Sequence, residues 1–261
     1  MLSNKKQKEV SRYFIYLAYN GTRYCGWQNQ PNGISVQFCL EDVLSKVLRH
    51  EVSIVGAGRT DAGVHARMMV AHFDTIRALN DTTLLVGKLN NMLPKDIAIY
   101  KIVSVVENAH ARFDAVSRTY NYMISEKKNP FNNEFIRMMS LKNINFEIMN
   151  DACRVLFEYS DFTSFSKLHT DVKTNNCRIY KAGWHEEDEI WVFTITADRF
   201  LRNMVRSIVG TMFEVGRKKI SIAGLRDIIE AKDRSRAGTS VPAEGLTLTD
   251  IEYPEKIFLD Y

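Results

Sequence analysis

The succession of two hydrophobic periodicities is the feature that most constrains this chain. Alternation with period two predicts strands, and spacing near 3.6 predicts helices. Arg12–Tyr19 reads as a strand, with Phe14 and Tyr16 on one face and Ile15 and Leu17 on the other, and ends at the turn signal Asn20-Gly21. Val36, Leu40, Val43, Leu44 and Val47 then keep helical spacing across 35–48, behind Ser35 as N-cap. Strands are predicted at 52–55, 68–73 and 97–106, and a helix over 81–93, capped by Asp81 and stopped by Pro94. The second half repeats this grammar. Its strands are predicted at 119–125, 177–185 and 190–197, and its helices at 146–158, 203–215 and 221–232. Such mixing without regular βαβ spacing predicts an α+β fold with antiparallel sheets rather than a doubly wound one. The loop around Glu126–Pro130 is a candidate boundary region, although no Ser/Gly linker marks a seam.

Composition excludes several classes. Across 261 residues, 45% are hydrophobic and 25% charged, the balance of a globular protein rather than a disordered or fibrous one. No apolar run approaches the roughly 18 residues of a membrane span. Residues 1–11 are rich in Lys, Gln and Asn and lack the apolar core of a secretory signal. Cys25, Cys39, Cys153 and Cys177 show no paired metal spacing and read as free thiols. A cytoplasmic, enzyme-sized protein is the expectation. The net charge is only +4, but residues 199–236 hold ten basic residues against four acidic ones, a local net of +6. The basic excess is concentrated there, which suits a polyanionic partner.

Three stretches could carry chemistry. Gly56-Ala57-Gly58-Arg59-Thr60-Asp61-Ala62-Gly63-Val64-His65-Ala66 follows a predicted strand and sets Asp61 among small neighbours. Taken alone it suits first a plain strand-to-loop turn, since Asp and Gly dominate turns, and a nucleophilic carboxylate kept ionised by an arginine is the sharper alternative. It has neither phosphate-loop nor dinucleotide spacing. In Arg199–Arg206, Arg202 and Arg206 stand four apart on a predicted helix and share a face, either solvated or turned toward an anion. In Ser117-Arg118-Thr119-Tyr120-Asn121-Tyr122 the two tyrosines share a strand face, as core residues or as a base-stacking surface. His50, His65, His72, His110, His169 and His185 form no metal pattern, and His65, without a carboxylate partner, reads as structural rather than as a general base.

The run Gly58–Ala66 resembles the signature of the tRNA pseudouridine synthase A family, whose catalytic motif has this R-T-D-A-G-V-H-A form. The resemblance continues in order along most of the chain. It takes in Tyr19-Asn20-Gly21-Thr22 with Gly26-Trp27-Gln28, Ser35-Val36-Gln37, Ser117–Tyr120, Phe200–Arg206 and the C-terminal loop Pro242-Ala243-Glu244-Gly245-Leu246. Two departures lie in the opening turn: Asn20 stands where the family commonly has Asp, and Cys25 where it often has His.

The resemblance implies an isomerase that converts uridine to pseudouridine in the anticodon stem-loop of tRNA, at positions 38, 39 and 40. That reaction breaks C1′–N1, rotates the base and forms C1′–C5, with no redox change and so no cofactor and no metal. By similarity Asp61 is the nucleophile and Arg206 its paired arginine. Tyr120 stacks the base, with a part in C5 deprotonation left open, and Leu246 lines the pocket. Arg59 contacts the flipped nucleotide's phosphate, and Arg202 lies on the substrate side. The implied architecture is two α/β halves with RNA-recognition-like antiparallel sheets flanking a basic catalytic cleft, residues 1–112 with the Asp loop and 113–261 with Tyr120, the arginine helix and the Leu246 loop. A homodimer binding tRNA, with no membrane association, completes the expectation. Two rivals remain at this point. One is an RNA-binding module without catalysis. The other is a hydrolase of nucleosides or glycans, which needs a second carboxylate as general acid, for which Asp74 and Asp114 are available.

Overall fold

The computed structural model describes residues 10–31, 33–167 and 174–259; residues 1–9 and His169 lie outside them. Among these, nine strands form one sheet. They are β1 (Ser11–Tyr19), β2 (Ile54–Gly56), β3 (His65–Thr75), β4 (Ile97–Val105), β5 (Ser117–Ser125), β6 (Arg137–Met138), β7 (Ile179–Glu187), β8 (Ile190–Ala197) and β9 (Leu246–Glu252). The order across the sheet is β4-β1-β3-β9-β5-β8-β7, with β2 on β3 and β6 on β5. Pairing is antiparallel except for β3 with β9 and β5 with β6. The fold is therefore mixed α/β around a mostly antiparallel sheet, as the interleaved periodicities predict.

Among the described residues five α-helices cover it: α1 (Val36–Leu48), α2 (Thr82–Met92), α3 (Phe146–Val155), α4 (Met204–Gly216) and α5 (Ile222–Glu230). Their starts follow from local chemistry. The side chains of Ser35, Asp81, Asn145 and Ser221 each accept a hydrogen bond from the N–H three residues on. Phe14, Ile15 and Leu17 are all fully buried although they alternate in direction, so β1 is covered on both faces.

The periodicities leave unassigned the two-residue β6 and the longer β9, whose start, Pro242–Leu246, the family resemblance gives only as a loop. Leu246-Thr247-Leu248-Thr249 does alternate, and that signal could have found it. In the structure β9 joins the two halves of the sheet. It pairs with β3 through His65↔Thr247 and Ala66↔Leu248, and with β5 through six residue pairs. The buried apolar side chains form two clusters. One is built from residues 13–115 with Leu248, Ile251 and Ile257, and the other from Val64 and residues 122–246. The C-terminal strand thus contributes to both.

Among the described residues no helix is long and apolar enough to cross a membrane, and no group of three His, Cys, Asp or Glu side chains is placed to hold a metal. The four cysteines are free.

Candidate active site

Asp61 sits in the turn between β2 and β3, and the chain around it is held by main-chain contacts. The Thr60 carbonyl accepts from the Trp27 N–H at 3.2 Å, and the Asp61 carbonyl from the Val64 N–H at 3.1 Å. The Thr60 hydroxyl bonds the buried Tyr19 hydroxyl at 2.8 Å. Gly26, at φ +107°, passes so close that a Cβ there would lie 2.5 Å from the Thr60 carbonyl oxygen. Only glycine fits that position, because the conformation and the space both exclude a side chain. Gly63 closes the turn at φ +77°.

His65 fixes the far end of this loop. Its Nδ1 accepts from the Gly21 N–H at 3.0 Å, so the ring must be neutral, and Nε2 donates to the Glu244 carbonyl at 3.1 Å. Burial pushes its pKa down, which favours the same neutral form. Both nitrogens are occupied, and the histidine is a strut rather than a general base.

Two arginines approach the carboxylate. Arg206 Nη1 lies 3.4 Å from Asp61 Oδ2, and Arg202 Nε lies 3.8 Å from Oδ1. The Asp61 and Arg206 side chains are 28% and 22% exposed, whereas Arg202 is 53% exposed, so the Arg206 pair is the more sheltered of the two. Arg206 is itself anchored, its Nε donating to the Val241 carbonyl at 2.7 Å. Arg202 corrects the sequence reading. Helix α4 starts at Met204, so Arg202 precedes it, and Asn203 takes a left-handed conformation at φ 65°. The two arginines converge because the chain reverses there, not through helical spacing. Asn tolerates this conformation better than most residues.

Tyr120 lies on β5 with its ring edge-on to Phe200 at 5.3 Å, and within electrostatic reach of Asp61. Burial raises its phenol pKa, so the hydroxyl stays protonated at neutral pH. Leu246 is buried at the start of β9, opposite Tyr122, while Leu248 stands opposite Tyr120 on the same face. Arg59 is exposed, two residues before Asp61, and its charge helps to lower the pKa of Arg112. The structure therefore gathers Asp61, Arg202, Arg206 and Tyr120, and sets Leu246 on the tyrosine face. Sequence reasoning assigned no role to Tyr19, Thr60, Phe200 or Val241. The glycine-flanked opening motif was the nearest signal for the first two.

Asp74 and Asp114 are not partners of Asp61. Asp74 is held by both nitrogens of an Arg12 fork at 2.7 and 2.8 Å, near the far end of β3, nine residues or roughly 30 Å along the strand from His65. Asp114 accepts the His110 N–H at 2.7 Å. The basic segment also divides. Arg217 and Lys219 pair with Glu214, Arg226 with Glu158 and Lys232 with Asp161, all away from Asp61.

The opening turn explains one departure from the family pattern. The Asn20 side-chain oxygen caps the Thr22 N–H at 3.0 Å, and its amide donates to Glu134, a bond that an aspartate could not make.

The site thus sets one carboxylate between two arginines, beside a tyrosine on a mostly antiparallel sheet. A family model described as tRNA pseudouridine synthase matches residues 15–114 and 153–254. The chain is 62% identical to tRNA pseudouridine synthase A of Parabacteroides distasonis over 249 residues, 95% of this chain and 98% of that one. It is 58% identical to the Bacteroides thetaiotaomicron protein of that name, over 95% and 93% of the two chains, and 36% identical to the Clostridium acetobutylicum one, over 92% and 98%. The chain belongs to the tRNA pseudouridine synthase A family, and is by class an isomerase.

Proposed function

We propose that this protein isomerises uridine to pseudouridine in the anticodon stem-loop of tRNA, at positions 38, 39 and 40, with Asp61 as the nucleophile. The observation that carries the reading is the carboxylate itself. Among the described residues its side chain accepts no hydrogen bond shorter than 3.4 Å, so its oxygens are free to meet an electron-poor carbon. Arg206 supplies a fixed counter-charge in a site partly screened from water, where such pairs act more strongly than in bulk solvent. The target uridine must leave its stack, at a cost of a few kcal/mol, which phosphate contacts and stacking offset.

In this reading Tyr120 is the surface on which the everted base stacks. Its hydroxyl is protonated in the resting site, and the comparison of Phe and Ala at this position decides whether it takes part in C5 deprotonation. Leu246 packs behind that surface, Arg59 meets the phosphate of the flipped nucleotide, and Arg202 adds charge on the solvent side. Residues 1–112 and 113–261 act as two α/β halves whose cleft receives the RNA, and two copies of the chain bind tRNA together in the cytoplasm. The chemistry uses neither metal nor cofactor.

Tritium at uridine C5 of tRNA tests the reaction directly. Wild-type protein should release the label, whereas a protein that only binds would not, and a nucleosidase would leave abasic sites. Asp61→Asn should abolish release while tRNA binding persists; near-normal turnover by that variant would remove Asp61 from the mechanism.

A further inference from the structure

Four main-chain carbonyls converge on one half-buried guanidinium outside the residues so far given a role. Arg118, on β5, donates through Nη1 to the carbonyls of Ala115 at 2.8 Å and Asp198 at 2.6 Å. Through Nη2 it donates to Ala57 at 3.1 Å and to Arg112. No carboxylate side chain bonds it among the described residues. Its acceptors belong to three segments distant in sequence: the entry to the Asp61 loop, the connection from β4 to β5, and the end of β8.

Each segment presents an arginine next to its bonded carbonyl. Arg112 is itself an acceptor, Arg199 follows Asp198, and Arg59 stands two residues beyond Ala57. Arg59 and Arg112 are exposed and Arg199 is partly exposed. Arg112 feels the other two: burial and then the charges of Arg59 and Arg199 push its pKa down. Like charges brought together repel, and ion pairs among the described residues include none of the three. Such a cluster is stable only if the backbone holds it, and it gains most from an anion with several acceptor oxygens.

We propose that Arg118 is a positioning residue that holds Arg59, Arg112 and Arg199 side by side as a site for an RNA phosphodiester next to the Asp61 loop. The proposal rests on the tRNA-isomerase reading given above, which already uses Arg59, and extends it to Arg112, Arg118 and Arg199, which that reading does not use. A lysine at 118 carries three donors on one point and cannot span four carbonyls, whereas the planar fork can.

Two sets of variants test this, using tritium release for turnover and filter binding of tRNA across a salt series. Arg112→Ala and Arg199→Ala, both surface changes, should raise KM by about threefold to tenfold with kcat nearly unchanged, and each should lower the log–log salt slope by about one. Arg118→Lys should raise KM and lower kcat together, because it loosens both the arginine cluster and the segment leading to Asp61. Unchanged affinity and salt slope in the two surface variants would overturn the phosphate site, even if Arg118→Lys fails to fold. A folded Arg118→Lys with wild-type kcat and KM and only a lower melting temperature would overturn the positioning role. If wild-type protein releases no tritium, the isomerase reading fails instead, and the binding arm still decides the phosphate site.

Discussion

Arg206 stands 3.4 Å from Asp61 but makes its shorter bond, 2.7 Å, to the main-chain carbonyl of Val241. The guanidinium is thus fixed by the C-terminal loop before it meets the carboxylate, and Val241 returns the contact with an N–H to the Arg206 carbonyl at 3.1 Å. A charge held this way needs little reorganisation, which is the condition for strong electrostatic stabilisation of a partner whose charge changes.

Arg206→Lys should therefore lower kcat by about a hundredfold or more while tRNA KM changes only a few-fold. An ammonium cannot donate to Val241 and face Asp61 in the fixed geometry of the fork. Steady-state tritium release decides it; an effect confined to KM would assign Arg206 to RNA positioning.

Tyr120→Phe and Tyr120→Ala separate stacking from proton transfer. Phe keeps the ring and should hold turnover within about tenfold of wild type, whereas Ala should lose on the order of 1–3 kcal/mol of base stacking. Comparable losses in both variants would give the hydroxyl a chemical role.

Gly26→Ala should impair catalysis without touching a reacting group. The new Cβ would press on the Thr60 carbonyl at 2.5 Å from a backbone at φ +107°, so either the turn or the Asp61 loop must shift. A loss of more than about 1 kcal/mol in stability, read by urea denaturation, is expected together with reduced kcat.

Stability should fall as pH drops from about 6.5 toward 4. His72 is buried with its pKa pushed down to about 4 by burial and then by Arg12 and His110, with Asp74 and Asp114 opposing. Its Nδ1 accepts the Ala111 N–H at 3.1 Å, which only the unprotonated nitrogen can do. A histidine whose native pKa lies below its unfolded value stabilises fully above the unfolded value and loses that contribution as pH falls through the native one. For His72 the loss is on the order of 3 kcal/mol. His65 and His110, also lowered, act in the same direction. Urea midpoints between pH 7.5 and 4 should show the decline, and His72→Gln should flatten it.

Binding of tRNA should weaken steeply with salt, with a log–log slope of several units, because phosphate contacts release counter-ions. The ion-paired Arg226 lies outside that surface, so Arg226→Ala should leave the slope unchanged. A flat wild-type response would remove the basic residues from the RNA interface.

Local order was readable from local chemistry. Ser35, Asp81 and Ser221 cap helices where the sequence places caps, because a cap is a contact between residues three apart. The Asp61 motif was likewise contiguous and carried its family resemblance within nine residues. The meeting of Asp61 with Arg206, 145 residues away, was not written in any periodicity. Nor was the approach of Arg202, which depends on one left-handed residue at Asn203, nor the hub at Arg118, whose four carbonyls come from three separated segments. Strand β9 shows the division most clearly. Its alternation was visible in principle, but its role in joining β3 to β5 arises from hydrogen bonds that any strand edge can offer. Sequence determines which segments become strands and helices and which side chains carry charge. Packing, through non-local main-chain bonds, decides which of those charges face one another.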